Sequence, residues 1–142
     1  MATYVKFDCF VRDLGLAVHD LAAAGDTLKV ALTNNNPAGS PTPETFADLP
    51  EIASGNGYTA GGEDAQNDYS ETGGVATLTC VDIVWTASGA GLATFRYPYL
   101  YNDTPTSPAN PLISYWDYGS SIAPAAGETF TVDFGATVFT LT

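Results

Sequence analysis

The chain has 142 residues, of which four are basic (Lys6, Arg12, Lys29, Arg96) and sixteen acidic, for a formal charge of −12. Such a surface repels phosphate backbones and anionic lipid, which argues against nucleic acid or membrane as the main partner. With 45% hydrophobic and 12% aromatic residues the chain is too apolar to stay disordered, and its length suits one domain, 1–142, with a core of its own.

Helix formers are scarce while Thr, Val, Tyr, Phe and Gly abound, a composition that favours strands joined by tight turns. The N-terminal "MATYVKFDCFVRD" has no charged-then-apolar leader layout, so export by a signal peptide is not expected. No apolar run approaches the roughly 20 residues of a membrane helix. Within the first 25 residues Phe10, Leu14, Ala17, Val18 and Leu21 recur at helical spacing. Leu14, Leu16 and Val18 around Gly15 also alternate as in a strand, so a short helical turn running into a strand is expected. "TLKVALTN" alternates clearly and predicts a strand over 27–33. "NNNPAGSPTPET" breaks regular structure with three prolines and reads as an exposed loop.

The longest strand candidate is "VATLTCVDIVWTA", 75–87. It is apolar on both faces, as a central strand covered on both sides would be. "LATFRYPYLY" follows, with Phe95, Tyr97, Tyr99 and Tyr101 on one face; Pro98 cannot donate to a ladder and predicts an edge strand or a bulge there. After the proline loop "NDTPTSPANP" come strands at "LISYWDY", "TFTVDF" and "TVFTLT", with Phe130, Val132 and Phe134 sharing a face. About eight short strands with turns between them predict an all-β antiparallel sandwich, jelly-roll-like, with a short N-terminal helix and under about a fifth of residues helical.

Chemical motifs are weak throughout. "EIASGNGYTAGGEDAQNDYSE" (51–71) looks like a phosphate-cradling loop but lacks Gly-Lys-Ser/Thr, and Glu63, Asp64, Asp68 and Glu71 would repel an anion. Gly55 and Gly57 are better read as turn residues at positive φ. Asp64, Gln66, Asp68 and Ser70 offer oxygens at alternating positions, but the fit to a calcium loop is poor and a solvated loop is the better reading. His19 is the only histidine and has no nucleophile elbow beside it. "DFG" at 133–135 stands without the rest of a kinase, and the scattered acids form no glycosidase pair. Cys9 and Cys80 read as free, buried thiols. No catalytic residue, metal or cofactor is expected. The aromatic group Trp85, Tyr97, Tyr99, Tyr101, Tyr115, Trp116 and Tyr118 admits two readings: a sandwich core with amphipathic edges, which is favoured, or an exposed strip that stacks on sugars or anchors a protein.

Four segments, "DTLKVALTNNNP", "EIASGNGYTAGG", "WTASGAGLATFRYPYLYND" and "WDYGSSIAPAAGETFTVDF", resemble small structural proteins of tailed bacteriophages and prophages, in particular capsid cement or decoration proteins. The resemblance covers nearly the whole chain and carries no chemistry. It implies a sandwich or jelly-roll domain on the outside of the head, clamping neighbouring copies of the major capsid protein, and a virion location after synthesis in the reducing bacterial cytoplasm. Binding as a homodimer or higher oligomer is expected. Irregular, partly apolar segments are the expected contacts: residues 1–8 and the loops 36–50 and 102–111, with Pro37, Pro41, Pro43, Tyr99, Tyr101, Pro105 and Pro108 as contact residues. Proline there lowers the ordering cost. The rival reading is a carbohydrate- or receptor-binding module of a phage tail that uses the tyrosines; a secreted lectin-like domain is disfavoured by the missing leader.

Overall fold

The computed structural model of the chain describes residues 2–142. Its strands are β1 (Thr3–Lys6), β2 (Leu28–Thr33), β3 (Glu63–Asp64), β4 (Asp68–Thr72), β5 (Val75–Thr79), β6 (Ile83–Thr86), β7 (Tyr97–Asn102), β8 (Leu112–Asp117), β9 (Thr129–Val132) and β10 (Phe139–Leu141). The helix α1 (Asp8–Gly15) and a 3-10 turn at Phe46–Asp48 bring helical content to 8%, within the expected fifth. All pairings are antiparallel: a five-stranded sheet in the order β1-β8-β7-β2-β3, a three-stranded one β10-β5-β4, and the pair β6-β9. The fold is all-β and sandwich-like, as the alternation predicts.

Period-two alternation explains the layering. Leu28, Val30 and Leu32 point from β2 into the main core, where Leu100 and Ile113 meet Leu78, Ile83, Trp85, Phe130 and Val132 from the smaller sheets. Residues of opposite parity in β2 and β7 (Ala31, Tyr97, Tyr99, Tyr101) face the other way and pack with Tyr115, Phe7, Cys9, Leu49 and Phe46 in a second cluster. In β8 alternation is broken at Ile113, which the pairing with β7 skips, so Ile113 and Tyr115 lie in different clusters. Phe130, Val132 and Phe134 all lie in the main core, and Trp85 stacks on Phe130 at 6.1 Å.

Four local expectations need correction. At the N-terminus the order is reversed: β1 forms first, pairing Tyr4 with Trp116 of β8, and α1 follows. The helical periodicity is real over Phe10–Leu14, with Asp8 and Arg12 suitably placed for the helix dipole. Ala17 at φ +56° then ends the run, so Leu16 and Val18 lie in a turn rather than a strand.

The 75–87 segment is two strands in two sheets. Between them the Val81 N–H donates to the Ala65 carbonyl and the Asp82 carboxylate accepts the Phe134 N–H at 2.9 Å, which carries the chain from β4 to β9. Neither strand is covered on both sides, and Val75, Val81 and Val84 are exposed.

β7 starts at Tyr97; Phe95 bridges to Ile122 and belongs to the main core, opposite the tyrosines. Pro98 lies in an interior strand. Leu32 opposite it sends its N–H to the Tyr58 hydroxyl and receives the Ile52 N–H on its carbonyl, so nothing on that side asks Pro98 for a donor. The β7–β8 ladder begins one residue later, at Tyr99–Tyr115, and the bulge falls between Leu100 and Tyr101.

Candidate interaction surface

Of the three segments expected to be irregular and to make contacts, the N-terminal one is regular, with Thr3–Lys6 in β1 and Asp8 opening α1, and its Val5–Asp8 end lies beside the loops. The Phe46 N–H donates to the Asn110 carbonyl and the Leu112 N–H to the Glu44 carbonyl, both at 2.9 Å, and Thr45 bridges to Pro111. Both proline loops are thus joined at one end of the five-stranded sheet. Arg12 of α1 clasps Glu44 with two nitrogens at 3.1 and 3.2 Å. Val5–Asp8 adjoin Pro37, Ala38 and Thr42 around a pocket of about 230 Å³. A larger groove of about 670 Å³ runs along Pro41–Thr45 and Asp48.

The 36–50 loop holds its shape through local bonds. Asn36 Oδ1 accepts the Ala38 N–H. At the 3-10 turn the Asp48 carboxylate accepts the Thr45 and Glu44 N–H groups at 2.9 and 3.2 Å, in a capping box with Thr45. Those bonds hold the Asp48 carboxyl below its ordinary pKa.

Tyrosines pin this loop down from beneath. Tyr99 donates from its hydroxyl to the Leu49 carbonyl at 3.2 Å and Tyr101 to the Gly61 carbonyl at 2.7 Å. Phe46 covers them, with centroids 6.0 Å from Tyr99 and 4.6 Å from Tyr101. Burial pushes both phenols well above their ordinary pKa. Tyr99 and Tyr101 are 0% and 1% exposed, so they are not contact residues, and the strip Tyr97–Tyr99–Tyr101 offers no sugar platform. The favoured core reading of these rings holds. Pro37 and Pro43 are also buried; Pro41 is exposed, and Pro105 and Pro108 are half-buried. The tyrosines' role as anchors was not legible from alternation, because the segment that covers them has no period of its own.

The glycine loop is occupied from within. Gly55 and Gly57 take positive φ, +111° and +102°, as expected of turn residues. A side chain at Gly57 would collide with the Thr86 carbonyl, and one at Gly62 with the Val30 carbonyl. The donors a phosphate would seek are already engaged: the Glu51 carboxylate accepts the Gly61 N–H at 2.9 Å and the Tyr58 hydroxyl at 2.7 Å.

Acidity elsewhere follows the same logic. Ten of the sixteen acids accept a backbone N–H in a turn or loop: Asp20, Asp26, Asp48, Glu51, Asp64, Glu71, Asp82, Asp117, Glu128 and Asp133. The −12 charge is in large part turn chemistry for a chain of many short strands.

His19 lies buried at the end of β7, where Nδ1 is 3.1 Å from Asn102 Nδ2; the same amide donates to Asp26 at 2.6 Å. Its Nε2 and the Oδ2 of buried Asp13 make no hydrogen bond. Burial lowers the His19 pKa against the opposing pull of Asp13 and Asp26. Cys9 and Cys80 are free thiols, as expected, but only Cys9 is buried and Cys80 is half-buried. Desolvation raises their pKa values to about 11 and about 12, so neither is a thiolate at neutral pH. Among the described residues no three of His, Cys, Asp and Glu gather to hold a metal ion, and no helix is long and apolar enough to cross a membrane.

Comparison with protein-family models, curated proteins and solved structures returns no match to the chain.

Proposed function

We propose that the chain is a decoration protein of a tailed-phage head, binding the outer surface of the assembled shell and stabilising joints between major capsid subunits. The observation that carries this reading is the convergence of Val5–Asp8 with the loops 36–50 and 102–111 on one surface. The backbone of 36–50 is tied down before any partner arrives, by the Tyr99 hydroxyl at Leu49 and the Asp48 capping box. A pre-ordered surface loses little conformational freedom on docking.

The resemblance of the sequence to cement proteins supports the same reading. Contacts would be made by the exposed Pro41, the half-buried Pro105 and Pro108 and the polar backbone around them, with the acidic turns facing solvent. Each contact of a domain this size is weak alone. Repetition over a closed lattice, by a dimer or higher oligomer with several anchored ends, raises the effective affinity without further chemistry.

The test is to heat or osmotically shock particles with and without the protein. Particles carrying it are expected to survive better, with the protein imaged on the shell. Equal survival, with the protein on the tail, overturns the proposal in favour of the receptor-binding reading.

A further inference from the structure

At the opposite margin of the same sheet, four aromatic rings leave a space between them. Tyr4 of β1 and Trp116 of β8 are cross-strand partners with centroids 5.7 Å apart and planes at 66°. Phe134, just past β9, sets its ring against Trp116 at 5.5 Å and 71°. Tyr118, two residues beyond Trp116, rests on Phe130 at 5.2 Å. With Ala2, Asp133 and Gly135 these rings line a pocket of about 400 Å³. Trp116 and Phe134 form its buried part, while Tyr4 and Tyr118 are half-buried at its sides.

The one charge in the lining is Asp133. Its Oδ1 accepts the Gly135 N–H at 2.7 Å, and among the described residues it joins no ion pair. Three of the four basic residues of the chain, Arg12, Lys29 and Arg96, are engaged with carboxylates elsewhere. Burial first, and the Asp133 charge second, hold the Tyr118 phenol above its ordinary pKa, so the ring stays neutral beside the carboxylate.

Aromatic faces carry negative electrostatic potential, and a cation over several of them is attracted in proportion to how far it is dehydrated. A carboxylate at the rim adds a charge partner, and the −12 field of the chain concentrates cations around it. The Asp133 carboxylate is the one charged group among these ring walls, an arrangement that favours a cation over a neutral ligand.

We propose that the Tyr4–Trp116–Tyr118–Phe134 pocket receives a cationic side chain, the guanidinium or ammonium of a partner protein's arginine or lysine, with Asp133 as its counter-charge. The inference stands whether or not the partner is a capsid subunit.

The experiment follows the indole N–H resonances of the ¹⁵N-labelled protein during titration at low salt. Trp116 reports on the pocket, and Trp85, buried in the main core, is the internal control. The probes are Nα-acetyl-arginine amide, Nα-acetyl-lysine amide and, as the neutral counterpart, Nα-acetyl-norleucine amide. Saturable shifts of Trp116 with the two cationic probes, none with norleucine, and an unmoved Trp85 are expected. Tyr118→Leu is expected to weaken binding about tenfold, and Asp133→Asn, which keeps the shape of the side chain, by a similar factor with loss of the salt dependence. An equal response to norleucine, unchanged affinity in Asp133→Asn, or no response to any probe overturns the proposal. So does a neutral monosaccharide that shifts Trp116 more strongly than the cations.

Discussion

On one face of the five-stranded sheet Leu28, Val30, Leu32 and Leu100 meet strands from the smaller sheets. On the other, Tyr97, Tyr99, Tyr101 and Tyr115 meet the N-terminal segment and a proline-rich stretch whose only regular piece is a 3-10 turn. Both faces are dry, but they are closed by different means. Aliphatic side chains have no directional bonds, so their cover must fit by shape, and regular strands do that well. An irregular stretch keeps spare carbonyls and cannot interdigitate so evenly. A tyrosine solves this by giving area and one directional bond together, as at Leu49 and Gly61. The proposed contact loops are therefore rigid from below and varied above.

The comparison predicts that damage to the aliphatic face is global and damage to the tyrosine face is local. The largest effect is expected for Leu100→Ala, whose side chain is fully buried between layers. It should lower unfolding stability by about 2–5 kcal/mol in urea, with one cooperative transition. If only the 36–62 region loosens, the two-face distinction fails.

Tyr101→Phe keeps the ring and removes the bond to the Gly61 carbonyl. A loss of about 1 kcal/mol is expected, together with faster amide exchange across 44–62 while β2 and β7 stay protected. Uniform acceleration throughout the sheet would show that the tyrosines hold the sheet itself and not its cover.

Asp48→Ala removes the carboxylate that satisfies the Glu44 and Thr45 N–H groups. A smaller loss, about 0.5–1 kcal/mol, is expected. Because the Asp48 pKa is lowered in the fold, the stabilisation is present above its ordinary value of 3.8 and disappears as pH falls through the folded one. Wild type and variant should therefore converge in acid, which paired urea titrations at neutral and acid pH can check.

The last effect is nil at neutral pH and grows below it. His19 is buried with a lowered pKa, so between its folded value and the ordinary 6.5 the unfolded chain binds more protons. Its burial as the neutral ring costs nothing above 6.5 and costs stability as pH falls through that value. His19→Gln is expected to lose less stability than wild type between pH ~7.5 and ~5.5, and equal losses would place the ionising group elsewhere.

What the sequence by itself determined is whatever depends on near neighbours. Alternation placed the strand at 129–132 because Phe130 and Val132 are buried and Thr129 and Thr131 are not. The segments 28–33 and 112–117 read as strands from their apolar and β-branched residues, and both of their faces are buried. Gly55 and Gly57 were legible as turn residues because positive φ is a property of the residue itself. The proline loops were legible as irregular, since proline removes a donor wherever it stands. Partner choice was not legible. In 75–87 the strand breaks where Asp82 finds Phe134, fifty-two residues away. Pro98 is tolerated inside a sheet because the Leu32 carbonyl opposite it takes the Ile52 N–H and the ladder to β8 begins only at Tyr99. The loops 36–50 and 102–111 were recognisable as irregular, but not that they meet through Phe46 and Asn110, nor that Tyr99 faces inward to hold Leu49 and Tyr101 to hold Gly61. A side chain's parity is local information; which layer closes over it is decided only when distant segments compete for the same buried bonds.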